Sequence, residues 1–331
     1  MNILDLLAQR APEINSEIES IMPRDEKPEM IYSLVWDFLD RGGKRFRPLL
    51  TLLCCRAVGN DYDGIMKAAV AFELFHNFTL VHDDIEDDSL KRRGKPCLHI
   101  TYGLPLAINA GDGLFVYVWK AIEDAHIPQE KLQRSIKIYN TAFKSVLDGQ
   151  GWEIGWFTHN IWDLTEKDYL MMVKGKTGAL IAGACELGAY LGDGSEQQIE
   201  ILKDFGLAVG IAFQIQDDIL DITGDNTKFQ KVICGDITEG KRTLIVIHTL
   251  EKCTPEEREF LIKTLDDHTR DEEKIKKVVE LFKKYDSIVY AKEFAKEIIN
   301  KEKEKIIKEL KDSDAKEKLI SLGDFFLNRE F

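Results

Sequence analysis

The chain has 331 residues, of which 45 are Lys or Arg and 58 are Asp or Glu, for a formal net charge of −13. Hydrophobic residues make up 44%, close to the globular norm of about 45–50%; this excludes intrinsic disorder and provides for a sizeable core. The acidic balance excludes a general nucleic-acid binder, which needs a surplus of Lys and Arg on one face, so an anionic substrate must be held by a local basic pocket.

Residues 1–20 carry Asp5 and Glu13 and no basic region followed by an apolar core, so no signal peptide is expected. No run of about 18 or more uncharged apolar residues is present, so no stable membrane insertion is expected either. The cysteines at 54, 55, 97, 185, 234 and 253 form no CxxC pair. Their scatter fits free thiols in a reducing cytoplasm and argues against zinc or a disulfide framework.

Segments of roughly 15–30 residues between breakers show apolar spacing of three and four, which predicts helices. Examples are 29–39 and 64–82, the latter through Ala68, Phe72, Phe75 and Leu80. Breaks fall at 22–28, 58–64, 89–97, 126–128, 192–195, 223–241 and 251–255. Helix starts are signalled by Thr254-Pro255 with Glu257, and more weakly by Thr165/Asp168 and Ser195/Gln198. The short apolar run Leu244–Thr249 is read as helix. The Lys/Glu-rich stretch 292–318, with Ile299, Ile306, Ile307 and Leu310 at helical spacing, is read as one solvated amphipathic helix. No segment resembles an inter-domain linker, so the expectation is an all-α single domain, 1–331, of about ten or more helices.

Two acidic clusters carry the chemistry. In Val81-His82-Asp83-Asp84-Ile85-Glu86-Asp87-Asp88, the carboxylates of Asp83, Asp84 and Asp87 share one helical face. Like charges so placed repel, which calls for something positive beside them. Oxygen ligands of this kind suit Mg²⁺, which takes one or two carboxylates and completes its shell with water and phosphate. The same Asp-Asp-x-x-Asp spacing returns in Phe213-Gln214-Ile215-Gln216-Asp217-Asp218-Ile219-Leu220-Asp221, with Gln214 on the acidic stripe. One copy fits a solvated helix face; two copies, each after a long apolar stretch, predict walls of a cavity where Mg²⁺ ions hold a polyphosphate.

Basic groups sit close by in the sequence. Arg41-Gly42-Gly43-Lys44-Arg45-Phe46-Arg47-Pro48 offers two glycines for close backbone approach, several cations and a proline to open a helix. It lacks the Lys-Ser/Thr pair of a Walker A loop. Lys91-Arg92-Arg93-Gly94 follows the first acidic cluster and supplies guanidinium forks for phosphate oxygens. Further candidates are Lys174-Gly175-Lys176-Thr177-Gly178, Lys231 and Gly240-Lys241-Arg242-Thr243, with His76 two turns before Asp83.

Together these residues resemble the trans-isoprenyl diphosphate synthases, the polyprenyl synthetase family. The match runs from 42–48 through 83–94 to 213–221 and Lys241, about 200 residues in the family's order and spacing. The resemblance implies an all-helical isoprenoid-synthase bundle around a deep central cavity, a homodimer, Mg²⁺ as the metal, and isopentenyl diphosphate and an allylic diphosphate as substrates. It implies that Lys44, Arg47, His76 and Arg93 bind isopentenyl diphosphate, and that Asp83, Asp84, Asp87, Asp217, Asp218 and Asp221 ligate magnesium. Arg92, Lys176, Thr177, Gln214, Lys231 and Lys241 are the implied contacts of the allylic diphosphate. The sequence departs from the family at Gln230-Lys231 and Cys234, where glycines are usual, and at Glu153, where Asp is common. Phe78 and Thr79, just before the first cluster, stand where the family floors its product pocket. One aromatic with a smaller neighbour resembles enzymes making geranylgeranyl (C20) diphosphate, with farnesyl (C15) or longer products the nearest alternatives. Class I terpene cyclases share the ionisation chemistry but have no use for Lys44, Arg47 and Arg93. A di-iron carboxylate bundle could use Glu73/His76 and Glu123/His126, but leaves both aspartate clusters unexplained. A non-catalytic partner subunit would commonly have lost those clusters.

Overall fold

A computed structural model describes residues 3–61, 64–224 and 234–327, whose regular structure is almost wholly helical. In chain order the helices are α1 (Ile3–Ile21), α2 (Glu29–Asp40), α3 (Phe46–Ala57), α4 (Ile65–Glu86), α5 (Leu98–Tyr102), α6 (Leu104–Asp124), α7 (Gln129–Thr158) and α8 (Glu166–Val173). They continue with α9 (Ala179–Leu191), α10 (Glu196–Thr223), α11 (Gly235–Thr238), α12 (Leu244–Lys252) and α13 (Pro255–Asp266). The last three are α14 (Glu272–Lys284), α15 (Ser287–Glu309) and α16 (Asp314–Leu327). Between α4 and α5 lies an antiparallel hairpin of two-residue strands, β1 (Lys91–Arg92) and β2 (Lys95–Pro96). The all-α reading therefore holds. The chain groups into two compact units, the first comprising residues up to 143, 183–203 and 309–319, the second 144–182, 204–308 and from 320 onward.

In the first unit α4 is the central rod, packed by α1, α3, α5 and α6. It is buried over the unbroken run Ala68, Ala69, Val70, Ala71, Phe72, Glu73, Leu74 and Phe75, as expected of a helix apolar on every side. Its aromatic side chains interlock: Phe75 stacks on Phe143 with ring centroids 3.9 Å apart, and Phe72 lies 4.8 Å from Tyr139. The Tyr139 hydroxyl donates to the Ala68 carbonyl at 2.6 Å, so the buried phenol is satisfied. Residues 183–192 approach α3 through glycine. A Cβ on Gly188 would lie 2.2 Å from the Thr51 carbonyl oxygen, and one on Gly192 2.8 Å from that of Cys55. Only hydrogen fits there.

In the second unit α12 packs on α8 and α14, and α13 on α14. The predicted helix starts are present as reciprocal caps. Thr165 accepts from the Asp168 N–H while Asp168 accepts from the Thr165 N–H, and Thr254 and Glu257 do the same. In the first unit Ser195 and Gln198 repeat the exchange. Leu244–Lys252 is helical as read. The stretch 292–318 departs from expectation, because α15 ends at Glu309 and α16 begins at Asp314. The Ser313 hydroxyl accepts the Lys316 N–H at 3.1 Å, and the Lys316 ammonium donates to the Leu310 carbonyl at 2.8 Å. A serine cap and a satisfied terminal carbonyl thus end one helix and start another where no Pro or Gly marks the break. Ile299, Ile306 and Leu310 are buried, whereas Ile307 is 52% exposed.

The six cysteines are free thiols. Among the described residues no helix is long and apolar enough to cross a membrane. The α3 contact makes Gly188→Ala a destabilising change of about 1–3 kcal/mol by overpacking. Gly151→Ala, with nothing within 4 Å of the new Cβ, should be neutral or gain up to about 1 kcal/mol of helix propensity. Denaturant unfolding of the two variants beside the parent checks both.

Candidate functional site

The basic group assembles within the first unit. The chain leaves α2 through Gly42 at φ 88 and Gly43 at φ 140, and enters α3 through Arg45 at φ 48. A Cβ on Gly43 would meet the Arg45 and Arg93 guanidinium groups at 3.0 and 3.1 Å, so glycine lets the backbone lie against both. Arg45 is buried and structural. It pairs with Glu73 at 3.1 Å, each side chain 2% exposed, and donates to Asn15 at 2.8 Å and to the Leu39 carbonyl at 2.9 Å. Arg93, in the turn between β1 and β2, donates to the Gly42 carbonyl and lies within 3.4 Å of the Asn77 side-chain oxygen. Asn77 in turn donates to the Glu73 carbonyl at 2.7 Å. Arg47, in the first turn of α3, has a buried Nε with no hydrogen-bond partner among the described residues. Burial pulls Arg47 down to about 10 against the opposing charge of Glu73, with Arg93 adding to the fall.

His76, half-buried on α4, registers the convergence. Burial first, then the charges of Arg47, Arg93, Arg92 and Arg45, hold its ring well below the ordinary 6.5. The positive charge of four arginines is thus felt at one imidazole. Of the four residues implied to hold isopentenyl diphosphate, the structure brings Arg47, His76 and Arg93 together. Lys44 is exposed in the adjoining loop.

Beside this group lies the first acidic stripe. Asp83 and Asp84 occupy the last turn of α4, and Asp87 is its exposed C-cap. Asp84 is 1% exposed, and Arg92 clasps it from β1, with Nε 2.6 Å and Nη2 2.5 Å from Oδ1. Arg92 also lies 3.8 Å from Asp83. Burial alone would lower Arg92, but Asp84 and Asp83 reverse this and raise it. Asp84 Oδ2 is buried and accepts from no nitrogen or oxygen donor among the described residues. Burial and the Asp84 charge push the neighbouring Cys97 thiol up to about 12. Phe78 and Thr79 are half-buried one turn earlier. Phe78 is ringed by Phe75, Phe115 and His82 at centroid distances of 5.4, 5.2 and 4.7 Å.

The second stripe lies on α10, in the second unit. Asp218 is 5% exposed. It accepts from the Tyr169 hydroxyl at Oδ2 and from the Gln214 amide at Oδ1, both at 2.9 Å. Gln214 accepts from the Thr177 hydroxyl at 2.9 Å, so two implied diphosphate contacts are joined to one implied metal ligand. Burial, then the charges of Asp236 and Asp217, raise Asp218 well above the ordinary 3.8. Asp221 accepts the Asp236 N–H at 2.8 Å. Lys241 bridges Asp236 at 3.0 Å and Glu239 at 2.8 Å. Its turn is pinned by Arg242, which donates to the Gly240 carbonyl at 2.7 Å and lies 3.9 Å from the Trp162 ring centre. Burial and the two aspartates also push Cys234 up to about 11.

Lys176 and Thr177 lie in a π-helical turn, Lys174–Gly178, a form frequent at functional sites. Close glycine-mediated packing against α7 holds it. A Cβ on Gly149 would meet the Lys176 nitrogen at 2.1 Å, and one on Gly175 the Ser145 carbonyl at 2.6 Å. Lys176 is paired with Glu153, so the Glu153 departure supplies its counter-ion. Lys231 lies outside the described residues.

Sequence reading missed Arg45 as a buried strut, together with Asn77, Tyr169 and Asp236. Arg45 and Tyr169 act through Glu73 and Asp218, 28 and 49 residues away, which local spacing does not report. The di-iron arrangement does not form. Glu73 is committed to Arg45, Glu123 is 77% exposed, and His126 lies beyond the end of α6 at φ 48. Among the described residues no three carboxylate, imidazole or thiolate groups converge on one metal position. Mg²⁺ needs no such cage, since one or two carboxylates with substrate phosphate suffice. The orphaned Asp84 oxygen and the crowded charge at Asp218 fit an oxygen-seeking cation.

The sequence matches the Polyprenyl synthetase family over residues 28–282. It is 38% identical over 331 residues to a short chain isoprenyl diphosphate synthase of Methanothermobacter thermautotrophicus, covering 100% of this chain and 99% of that protein. Its fold matches the geranylgeranyl pyrophosphate synthetase of Pyrococcus horikoshii with a TM-score of 0.94 at 36% identity, over 99% of this chain and 98% of that one. It also matches a polyprenyl synthase of Caulobacter crescentus, solved with calcium and isoprenyl diphosphate, with a TM-score of 0.88 at 28% identity over 99% and 97% of the two chains.

His76 makes the basic group measurable. Because its folded value is depressed, it contributes nothing to stability above 6.5. Below that the unfolded chain takes up a proton that the folded chain refuses, so stability falls with pH. The ring C–H resonances should stay those of neutral imidazole at pH 6, as NMR titration will show. His76→Asn should lessen the acid-side loss of folding stability.

Proposed function

We propose that this chain, a prenyltransferase that belongs to the polyprenyl synthetase family, joins isopentenyl diphosphate head-to-tail (1′-4) to an allylic diphosphate. The products are pyrophosphate and a short all-trans prenyl diphosphate, with geranylgeranyl diphosphate the leading candidate. The observation that carries this reading is the placing of the Arg45 and Arg93 guanidinium groups against the Gly43 backbone, with Arg92 alongside on Asp84, in a chain of net charge −13. A local positive excess beside an acidic stripe suits a diphosphate ester.

In this reading Lys44, Arg47, His76 and Arg93 hold isopentenyl diphosphate. The buried Nε of Arg47, with no partner among the described residues, offers a donor, and His76, kept neutral, offers a hydrogen bond rather than a charge. Asp83, Asp84, Asp87, Asp217, Asp218 and Asp221 would hold Mg²⁺, which when bound supplies a Lewis acid for the charge gathering on departing pyrophosphate. Arg92, Lys176, Thr177, Gln214, Lys231 and Lys241 are proposed from the sequence as the contacts of the allylic diphosphate, where donors stabilise the developing charge. Holding the alkene against the allylic carbon supplies proximity and orientation. The aromatic ring around Phe78 keeps water from the cation. The proton lost from the isopentenyl unit goes to the departing pyrophosphate.

Leu104, Ile108, Val116 and Trp119 lie on one face of α6 and are exposed, which supports the homodimer implied by the resemblance. The free thiols support a cytoplasmic setting.

The direct test incubates the pure protein with Mg²⁺, isopentenyl diphosphate and allylic diphosphates of several lengths, followed by chromatography of the dephosphorylated products. Elongated prenyl alcohols are expected, and their absence with every primer would overturn the reading. Asp83→Ala and Asp217→Ala should each lower turnover by roughly 10²–10³-fold or more with circular dichroism unchanged. Phe78→Ala should shift the products to longer chains; an unaltered profile would refute its place as the pocket floor.

A further inference from the structure

We propose that Tyr169 is a positioning residue that fixes the Asp218 carboxylate for its cation, an inference that rests on reading Asp218 as a metal ligand. Tyr169 is 1% exposed, and its hydroxyl donates to Asp218 Oδ2 at 2.9 Å. The other carboxylate oxygen accepts from Gln214 at 2.9 Å, and Gln214 is itself oriented by the Thr177 hydroxyl at 2.9 Å. Each oxygen therefore has one fixed donor and keeps lone-pair capacity for a cation.

The two donors differ in what they can fix. Gln214 lies one turn before Asp218 on α10 and moves with it. Tyr169 comes from α8, so its bond locks the carboxylate against a second element and defines its rotation. A phenylalanine would fill the same space, and burying a phenol instead is costly unless the hydroxyl is bonded. Outer partners of this kind typically change metal affinity by about 10–100-fold.

The test compares the parent with Tyr169→Phe and Asp218→Asn. Mn²⁺ binding is read by electron paramagnetic resonance in the presence of geranyl thiolodiphosphate, which ionises too slowly to turn over. The Mg²⁺ dependence of turnover, the KM for isopentenyl diphosphate and the denaturation midpoint are measured beside it. Tyr169→Phe should need about 10–100-fold more metal for half-maximal binding and turnover. Turnover at saturating metal should stay within a few-fold of the parent, with the KM for isopentenyl diphosphate unchanged. A merely structural tyrosine would lower the denaturation midpoint and leave the metal requirement alone, and that result overturns the proposal. If Asp218→Asn weakens metal binding and Tyr169→Phe does not, the inference alone falls. If neither does, the reading of Asp218 as a ligand falls with it. Tyr169→Met, a second hydroxyl-free variant, repeats the comparison should the phenylalanine variant fail to fold.

Discussion

Charge carried into an apolar helical interior has to be neutralised, and here the neutralisation is uneven. Around His76 four arginines are set against Glu73 and Asp84, and Glu73 is already committed to Arg45. Around Asp218 the imbalance has the opposite sign, because Asp217 and Asp236 crowd a carboxylate whose nearest donors are neutral. A folded protein keeps such imbalances at a cost in stability, and they cluster where ligands of complementary charge bind. The chemistry proposed for this chain uses both: a dianionic ester for one and a divalent cation for the other.

The supports of these groups are neutral or paired. Arg45 fastens three elements and lets the Gly42-Gly43 turn lie against Arg93. In the second unit, backbone contact at Gly149 and Gly175 holds the π-helical turn that carries Lys176 and Thr177. Three phosphate-directed cations there and at the hairpin already have a carboxylate: Arg92 with Asp84, Lys176 with Glu153, Lys241 with Asp236. The side chains are thus held in place before a substrate arrives, which lowers the ordering cost of binding.

Motifs with fixed local spacing were legible in the sequence. The aspartate stripes, the glycine–arginine turn and the capping boxes all depend on neighbours three or four residues away, and periodicity reports those directly. What escaped was long-range partnership. Arg45 reads like Arg47 until Glu73 comes to lie beside it, and Tyr169 is an ordinary aromatic until α8 brings it to Asp218. The break between α15 and α16 was hidden because Lys and Glu run through it. Only the side-chain bonds of Ser313 and Lys316 reveal it. Lys174-Gly175-Lys176-Thr177-Gly178 was read only for its cations, whereas Gly175 is held by contact with the Ser145 and Gly149 backbone, which spacing does not report.

Each aspartate stripe has a cysteine at its side, Cys97 at the first and Cys234 at the second, and both thiols are held protonated by burial and neighbouring carboxylates. Since the thiolate is the reactive form, neither is a target for alkylating probes or mild oxidants at neutral pH. A reporter cysteine engineered on an exposed helix face can therefore be labelled with Cys97 and Cys234 left in place, the half-buried Cys253 being the natural thiol to replace.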